Sequence, residues 1–177
     1  MRGITYHCRI DRKIFRRFAV FDTFILHKRW RLPAIFALIM TAFAIVCFLS
    51  GKQQSWLPGT ILLVIGLGMP AVYAGTFLSQ VNKKAAALKL DKPRAMYTVV
   101  LSSGDVNIHN DFKQEQNVVL PWEKVWGAVR VRDAVYLYAV PSRAFILPDG
   151  QADAPAGEVW AFLGECLPKD KLTVKKY

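Results

Sequence analysis

The chain has 177 residues, 53% of them hydrophobic, and a formal charge of +11. That hydrophobic content excludes a disordered chain, and the length left outside the longest apolar runs suffices for one modest soluble domain. Cys8, Cys47 and Cys166 stand in different segments with no C-x-x-C pair, which excludes a disulfide scaffold and a cysteine metal knuckle.

At the N-terminus Ile4, Tyr6, Cys8 and Ile10 alternate with polar residues, the pattern of a strand. Asp11 is placed to cap a following helix. In that helix Ile14, Phe18, Phe21 and Ile25 recur on one face beside Phe15, with Arg12, Lys13, Arg16 and His27 opposite. Such a face suits either the bilayer interface or packing on a soluble domain.

Residues 32–51 and 53–82 carry no charge, and only Lys52 separates them. About 20 apolar residues in a helix cross a hydrocarbon core of about 30 Å, so each run is long enough to span. The break at residues 51–55 makes them a helical hairpin. The first run starts too late and runs too long for the apolar region of a signal peptide. Arg12, Lys13, Arg16, Arg17, Lys28, Arg29 and Arg31 precede the hairpin, while Lys83 and Lys84 follow it. Positive charge is retained on the cytoplasmic side, so both termini are expected there. Trp30 and Trp56 fall at opposite boundaries. Neither run contains an ionisable Asp, Glu, Lys, Arg or His, which argues against a self-sufficient transporter or channel. Ala71, Gly75 and Ser79 recur every four residues, with Gly68 near that face. This stripe predicts close packing on the first span, or a homodimer. Pro70 is expected to kink the second span by freeing the Gly66 carbonyl.

Residues 83–95 read as a linker helix ending near Pro93, and residues 96–168 as a small cytoplasmic domain. Short strands are expected at 97–101, 106–110, 118–122, 125–131, 134–140 and 143–147. Residues 102–105 and 132–133 form turns, and 111–117 is polar and turn-like. A last helix carries Val159, Phe162, Leu163 and Cys166 as a stripe, widened by Trp160 and Leu167. Asp153 and Pro155 suit its start, and Pro168 ends it. Residues 169–177 read as a solvated basic tail. The fold class is a membrane hairpin of two spans plus a small α+β cytoplasmic domain. Antiparallel strands with one C-terminal helix make that domain pleckstrin-homology-like.

The run Leu120-Pro121-Trp122-Glu123-Lys124-Val125, the strand Val135-Tyr136-Leu137-Tyr138 and the run Ala144-Phe145-Ile146-Leu147-Pro148 precede that helix. With the hairpin before them, they resemble the YcxB-like family of small bacterial membrane proteins. The resemblance implies the two-span architecture and the C-terminal domain, with the Pro121-Trp122 corner and the strand ending at Pro148 as structural motifs; Trp160, on the helix stripe, is read as structural too. It implies no activity. Where family members often carry a basic residue after the closing Pro, this chain has Asp149.

There is no H-E-x-x-H, G-x-S-x-G or phosphate-binding glycine loop; His27 and His109 have no carboxylate or Cys at metal-ligand spacing, and His7 and Cys8, adjacent on a strand, point to opposite faces and make a poor catalytic pair. No enzyme, metal or cofactor is therefore expected. Nucleic acid is disfavoured as a partner because no recognition motif accompanies the charge. If Val129, Val131, Val135 and Leu137 face the core, Arg130, Arg132, Tyr136 and Tyr138 share the outer face. Such a face suits anionic lipid headgroups or a protein partner, or else solvated cation–π pairs. The expected function is a non-catalytic, membrane-tethered binding module. The alternatives are an accessory subunit of a larger, transporter-associated membrane complex and, third, an enzyme whose site carries no recognised motif.

Overall fold

The computed structural model of the protein describes residues 3–50, 56–110 and 117–175. The expected break at 51–55, the polar stretch 111–116 and the last two tail residues lie outside the described residues. The chain divides into a helical unit and a sheet-rich unit, with boundaries between Asp11 and Arg12 and between Asp91 and Lys92. The N-terminal segment expected as one piece, residues 1–31, is therefore split between them, as is the expected linker 83–95.

The helical unit starts with α1 (Arg12–Val20), which runs into a π-helix at Phe21–Leu26. Two long apolar helices follow, α2 (Arg31–Leu49) and α3 (Trp56–Ala87). Both are long and apolar enough to cross a membrane. At 1.5 Å per residue α2 is about 28 Å long and α3 about 48 Å. The extra turns of α3 continue past the start of α2, and α1 packs there. The Arg12 amide donates to the Leu90 carbonyl at 2.8 Å, fixing the start of α1 beside the end of α3. That end is a Schellman cap: Lys89 is left-handed (φ 54), its N–H donates to Ala86 and that of Leu90 to Ala85. Ala85 and Leu90 are both buried.

Two glycines set the approach of α2 to α3. A Cβ on Gly59 would meet the Phe48 ring at 2.9 Å, and one on Gly66 would meet Met40 Cβ at 2.8 Å. Ala44, fully buried, lies between these contacts on α2. The expected packing of Ala71, Gly75 and Ser79 on the first span is not found. All three are exposed, and nothing lies within 4 Å of a Cβ built on Gly75. The reason is helical phase: with 3.6 residues per turn, Gly59 and Gly66 share a face, and Gly75 lies about half a turn away. The helix continues uninterrupted through Pro70.

Among its described residues the sheet-rich unit contains eight strands and one α-helix: β1 (Ile4–Ile10), β2 (Arg94–Leu101), β3 (Asp105–Asn110), β4 (Val118–Pro121), β5 (Gly127–Arg130), β6 (Ala134–Val140), β7 (Arg143–Pro148), α4 (Ala156–Cys166) and β8 (Leu172–Val174). One sheet has the order β1-β2-β3-β4 and the other β7-β6-β5-β8. Alternation places Ile4, Tyr6, Cys8 and Ile10 of β1 in the core with Val99, Leu101, Val106 and Ile108 of its neighbours. The loop after β7 covers the open edge of β1: His7 N–H donates to the Gln151 carbonyl and Asp153 N–H to that of Thr5. Asp153, expected at the start of the last helix, uses its side chain there as well, accepting from Thr5 N–H at 2.9 Å. α4 buries Val159 and Leu163, one turn apart.

The tail expected to be solvated returns instead. β8 pairs in parallel with β5, and Lys171 Nζ donates to the Val125 carbonyl at 2.8 Å. Gly127 permits this, since a Cβ there would stand 2.8 Å from the Lys171 carbonyl oxygen.

Candidate functional site

The outer face expected from Arg130, Arg132, Tyr136 and Tyr138 does not exist as a surface. Tyr136 and Tyr138 are 1% and 0% exposed. The turn explains the error. Val131 N–H donates to Ala134 O, so Arg130 stands opposite Val135 and Val129 opposite Tyr136. Cross-strand partners share a face, which groups Arg130 with Val135 and Leu137 and Tyr136 with Val129. Both faces of β6 are buried. Arg132 alone of the four is exposed.

Arg130 is committed to the fold. Its Nη1 and Nη2 donate to Asp149 Oδ1 and Oδ2 at 2.6 and 2.7 Å, a bidentate pair. The hydrogen bond and the charge of Asp149 hold the guanidinium pKa above its ordinary value. Tyr6 lies close enough to feel both charges, and burial, reinforced by Asp149, pushes its hydroxyl above the usual tyrosine range. Tyr97 is satisfied twice over, its hydroxyl donating to the Ile146 carbonyl and accepting from the Ile146 amide. These groups join strands.

The other expected structural residues are placed as follows. Trp122 is buried at 7% exposure, donates Nε1–H to the Ser102 carbonyl at 2.8 Å and meets Phe162 edge-on. Pro148 is buried at the end of β7, whereas Trp160 is only half-buried.

Further concave places lie among the described residues. In the sheet-rich unit a cavity of about 590 Å³ lies beside α4, walled by Phe162 and by Asp153, Glu158 and Glu165. Among the described residues no cluster of His, Cys, Asp and Glu has the arrangement to hold a metal ion. In the helical unit two cavities meet at the root of the hairpin. The first, about 470 Å³, lies between α1, the π-helix and the last turns of α3, with Phe15, Phe18 and Phe77 against Asp22, Gln80 and Lys84. The second, about 750 Å³, is a cleft between α2 and α3 walled by Leu32, Pro33, Phe36, Met69 and Val72. Arg29, Tyr73 and Thr76 line both.

The local backbone explains the position of Arg29. The π-helix closes with His27 N–H on Asp22 O, Lys28 takes a left-handed φ of 50°, and Arg29 N–H returns to the Thr23 carbonyl. Behind it Phe24 meets Phe77 and Tyr73 edge-on, at 4.9 and 6.4 Å between ring centroids. Arg29 and Lys84 figure in the sequence only as flanking charge. Tyr73, Thr76, Phe77 and Gln80 merge there into an uncharged run, and their spacing of three to four residues is the one signal of a shared face.

Comparison of the chain with protein-family models, with curated proteins and with solved structures returned no match.

Proposed function

We propose that the chain is a two-pass protein of the bacterial inner membrane, with both termini cytoplasmic. In this reading α2 and α3 anchor a pleckstrin-homology-like, non-catalytic domain, in keeping with the YcxB-like resemblance, that binds a protein or anionic-lipid partner. The observation that carries it is the exterior of the two helices. Leu32, Ile35, Leu38, Phe43 and Val46 of α2 and Leu57, Ile61, Val64 and Val72 of α3 are exposed large apolar residues. Water disfavours such a surface strongly, whereas lipid accepts it, and the helical backbone satisfies its own polar groups. Orientation rests on the excess of Lys and Arg on both outer flanks over the single Lys52 of the connection.

Single cysteines in a chain whose own three cysteines are replaced by alanine test this reading. A cysteine at Lys52 reacts with a membrane-impermeant thiol reagent in intact cells once any outer membrane is permeabilised, and one at Ser103 does not. The opposite pattern inverts the topology, and labelling of both removes the membrane assignment.

A second reading, an accessory subunit of a larger membrane complex, is supported by the outward stripe of Ala71, Gly75 and Ser79, which α2 leaves uncovered. Co-purification in mild detergent distinguishes the two. A stoichiometric membrane partner favours the subunit, and a soluble or lipid partner favours the module.

A further inference from the structure

We propose that the paired cavities at the root of the hairpin form a binding site for one anionic phospholipid, whose phosphate sits between Arg29 and Lys84 and whose acyl chain lies in the cleft between α2 and α3. The proposal rests on the membrane-spanning reading of these helices and adds to it a defined site and ligand class.

The two cavities differ in chemistry in the way the two ends of a lipid differ. The smaller presents Arg29, Lys84 and Gln80, donors suited to phosphate oxygens. The larger is walled by Leu32, Phe36, Met69 and Val72 and offers an alkyl chain little but carbon. Because Arg29, Tyr73 and Thr76 belong to both, head and chain need no gap between them. Depth agrees as well. Arg29 and Lys84 flank the two uncharged runs, residues 32–51 and 53–82, and an antiparallel hairpin brings those flanks to one side. That is headgroup level, and the cleft lies just inside the hydrocarbon. Trp30, half exposed beside Arg29, has the residue type favoured at that depth.

Asp22 also lines the smaller cavity, within 3.8 Å of His27 Nδ1. With Arg29 and Lys84 it leaves the lining net positive, so a headgroup carrying net negative charge is preferred to a zwitterionic one. The cleft exchanges one lipid chain for another and confers little selectivity; discrimination comes from the head. Two basic groups near the surface correspond to a preference of about tenfold or more. The π-helix is consistent with a built site, since such rare wide turns are frequent at functional sites.

The test uses the full chain released from mild detergent into native mass spectrometry, with equimolar phosphatidylglycerol and phosphatidylcholine of identical chains. One retained phosphatidylglycerol, preferred about tenfold, is expected. Arg29→Gln with Lys84→Gln brings the preference close to parity. Lys28→Gln with Lys83→Gln, which removes equal charge from residues outside both cavities, leaves it unchanged. Val72→Trp fills the cleft and reduces retention of either lipid. Glycerol phosphate added in excess does not displace the bound lipid.

Equal retention of the two lipids by the unmodified chain overturns the proposal, as does an equal loss in the control pair, which would mean diffuse attraction. Displacement by glycerol phosphate would assign the site to a soluble phosphate compound. Should the Arg29 and Lys84 variant fail to fold, the unmodified chain and Val72→Trp still decide. Sedimentation of the chain with membranes after an alkaline carbonate wash separates the two failures: a chain released by the wash is not membrane-spanning, and one that stays but shows no preference lacks only the lipid site.

Discussion

Trp122 illustrates how one residue joins three elements. It follows the Leu120-Pro121 end of β4, bonds to the turn between β2 and β3, and meets Phe162 of α4. Trp122→Ala removes most of a buried indole and is expected to cost about 3–5 kcal/mol, a large part of a small domain's stability. Trp122→Phe keeps the packing and loses one hydrogen bond, at about 1 kcal/mol. Thermal melts of the detergent-solubilised chain, followed by tryptophan fluorescence, check both; an unchanged midpoint in the alanine variant would refute the anchoring role. Tyr6, Cys8 and Tyr97 carry a second prediction. Burial is the main force raising the pKa of each. The folded state therefore keeps protons that the unfolded chain releases above roughly pH 8.5–10. Since the unfolded state then binds fewer protons, stability is full below that window and falls as pH rises through it. Each withheld proton contributes about 1.4 kcal/mol per pH unit. Denaturant melts at pH 8 and pH 11 measure the loss, and a flat profile would contradict the burial of these groups.

Within the hairpin, the helices meet at glycine. Gly66→Ala puts a Cβ 2.8 Å from Met40 Cβ, and α2 must move away or tilt. Gly75→Ala meets nothing. Thermal melts in detergent are expected to fall by several degrees for the first and to stay within about a degree for the second, which as an alanine also gains helix propensity. Equal destabilisation would mean that the stripe of Ala71, Gly75 and Ser79 is packed after all. The pair also shows what a sequence can reveal at this scale. The two apolar runs, the alternation of Ile4 to Ile10 and the stripe of α4 are periodicities, and each became the element it predicts. Contacts between elements are another matter. A stripe of small residues indicates that something can approach closely without saying which glycine faces the neighbour. β8 carries only Leu172, Thr173 and Val174, too short a pattern to distinguish from a tail, and it becomes a strand because Gly127 lets its backbone in. The Arg–Tyr face failed by one residue of parity, enough to exchange the two sides of a strand. The paired cavities were illegible for the same reason: their walls come from α1, the π-helix, α2 and α3 together.

At the scale of the molecule, the helical unit is an insertion into a hairpin. Ile10 stands directly opposite Arg94 and Arg9 opposite Ala95, so β1 and β2 are antiparallel neighbours whose ends would be joined by a short turn in a simpler protein. Here residues 12–91 occupy that place. The sheet-rich unit is thus discontinuous in sequence, and a fragment from Pro93 onward lacks β1. It would lose the buried side chains of Ile4, Tyr6, Cys8 and Ile10 and expose the edge of β2. Burying such side chains contributes about 1.5–3 kcal/mol each, more together than the usual net stability of a domain this small. The fragment is therefore expected to aggregate or to show no cooperative melt. Joining residues 3–11 to residues 92–175 through a four-residue turn containing Asn-Gly replaces the helical unit with a hairpin loop and restores every strand pair of β1. That chain is expected to be soluble without detergent and to melt in one cooperative transition, with slow amide exchange in β1 and β2. If the fragment alone melts as cooperatively as the joined chain, β1 is dispensable and the insertion account is wrong; if neither folds, the sheet-rich unit depends on the helices it surrounds in sequence.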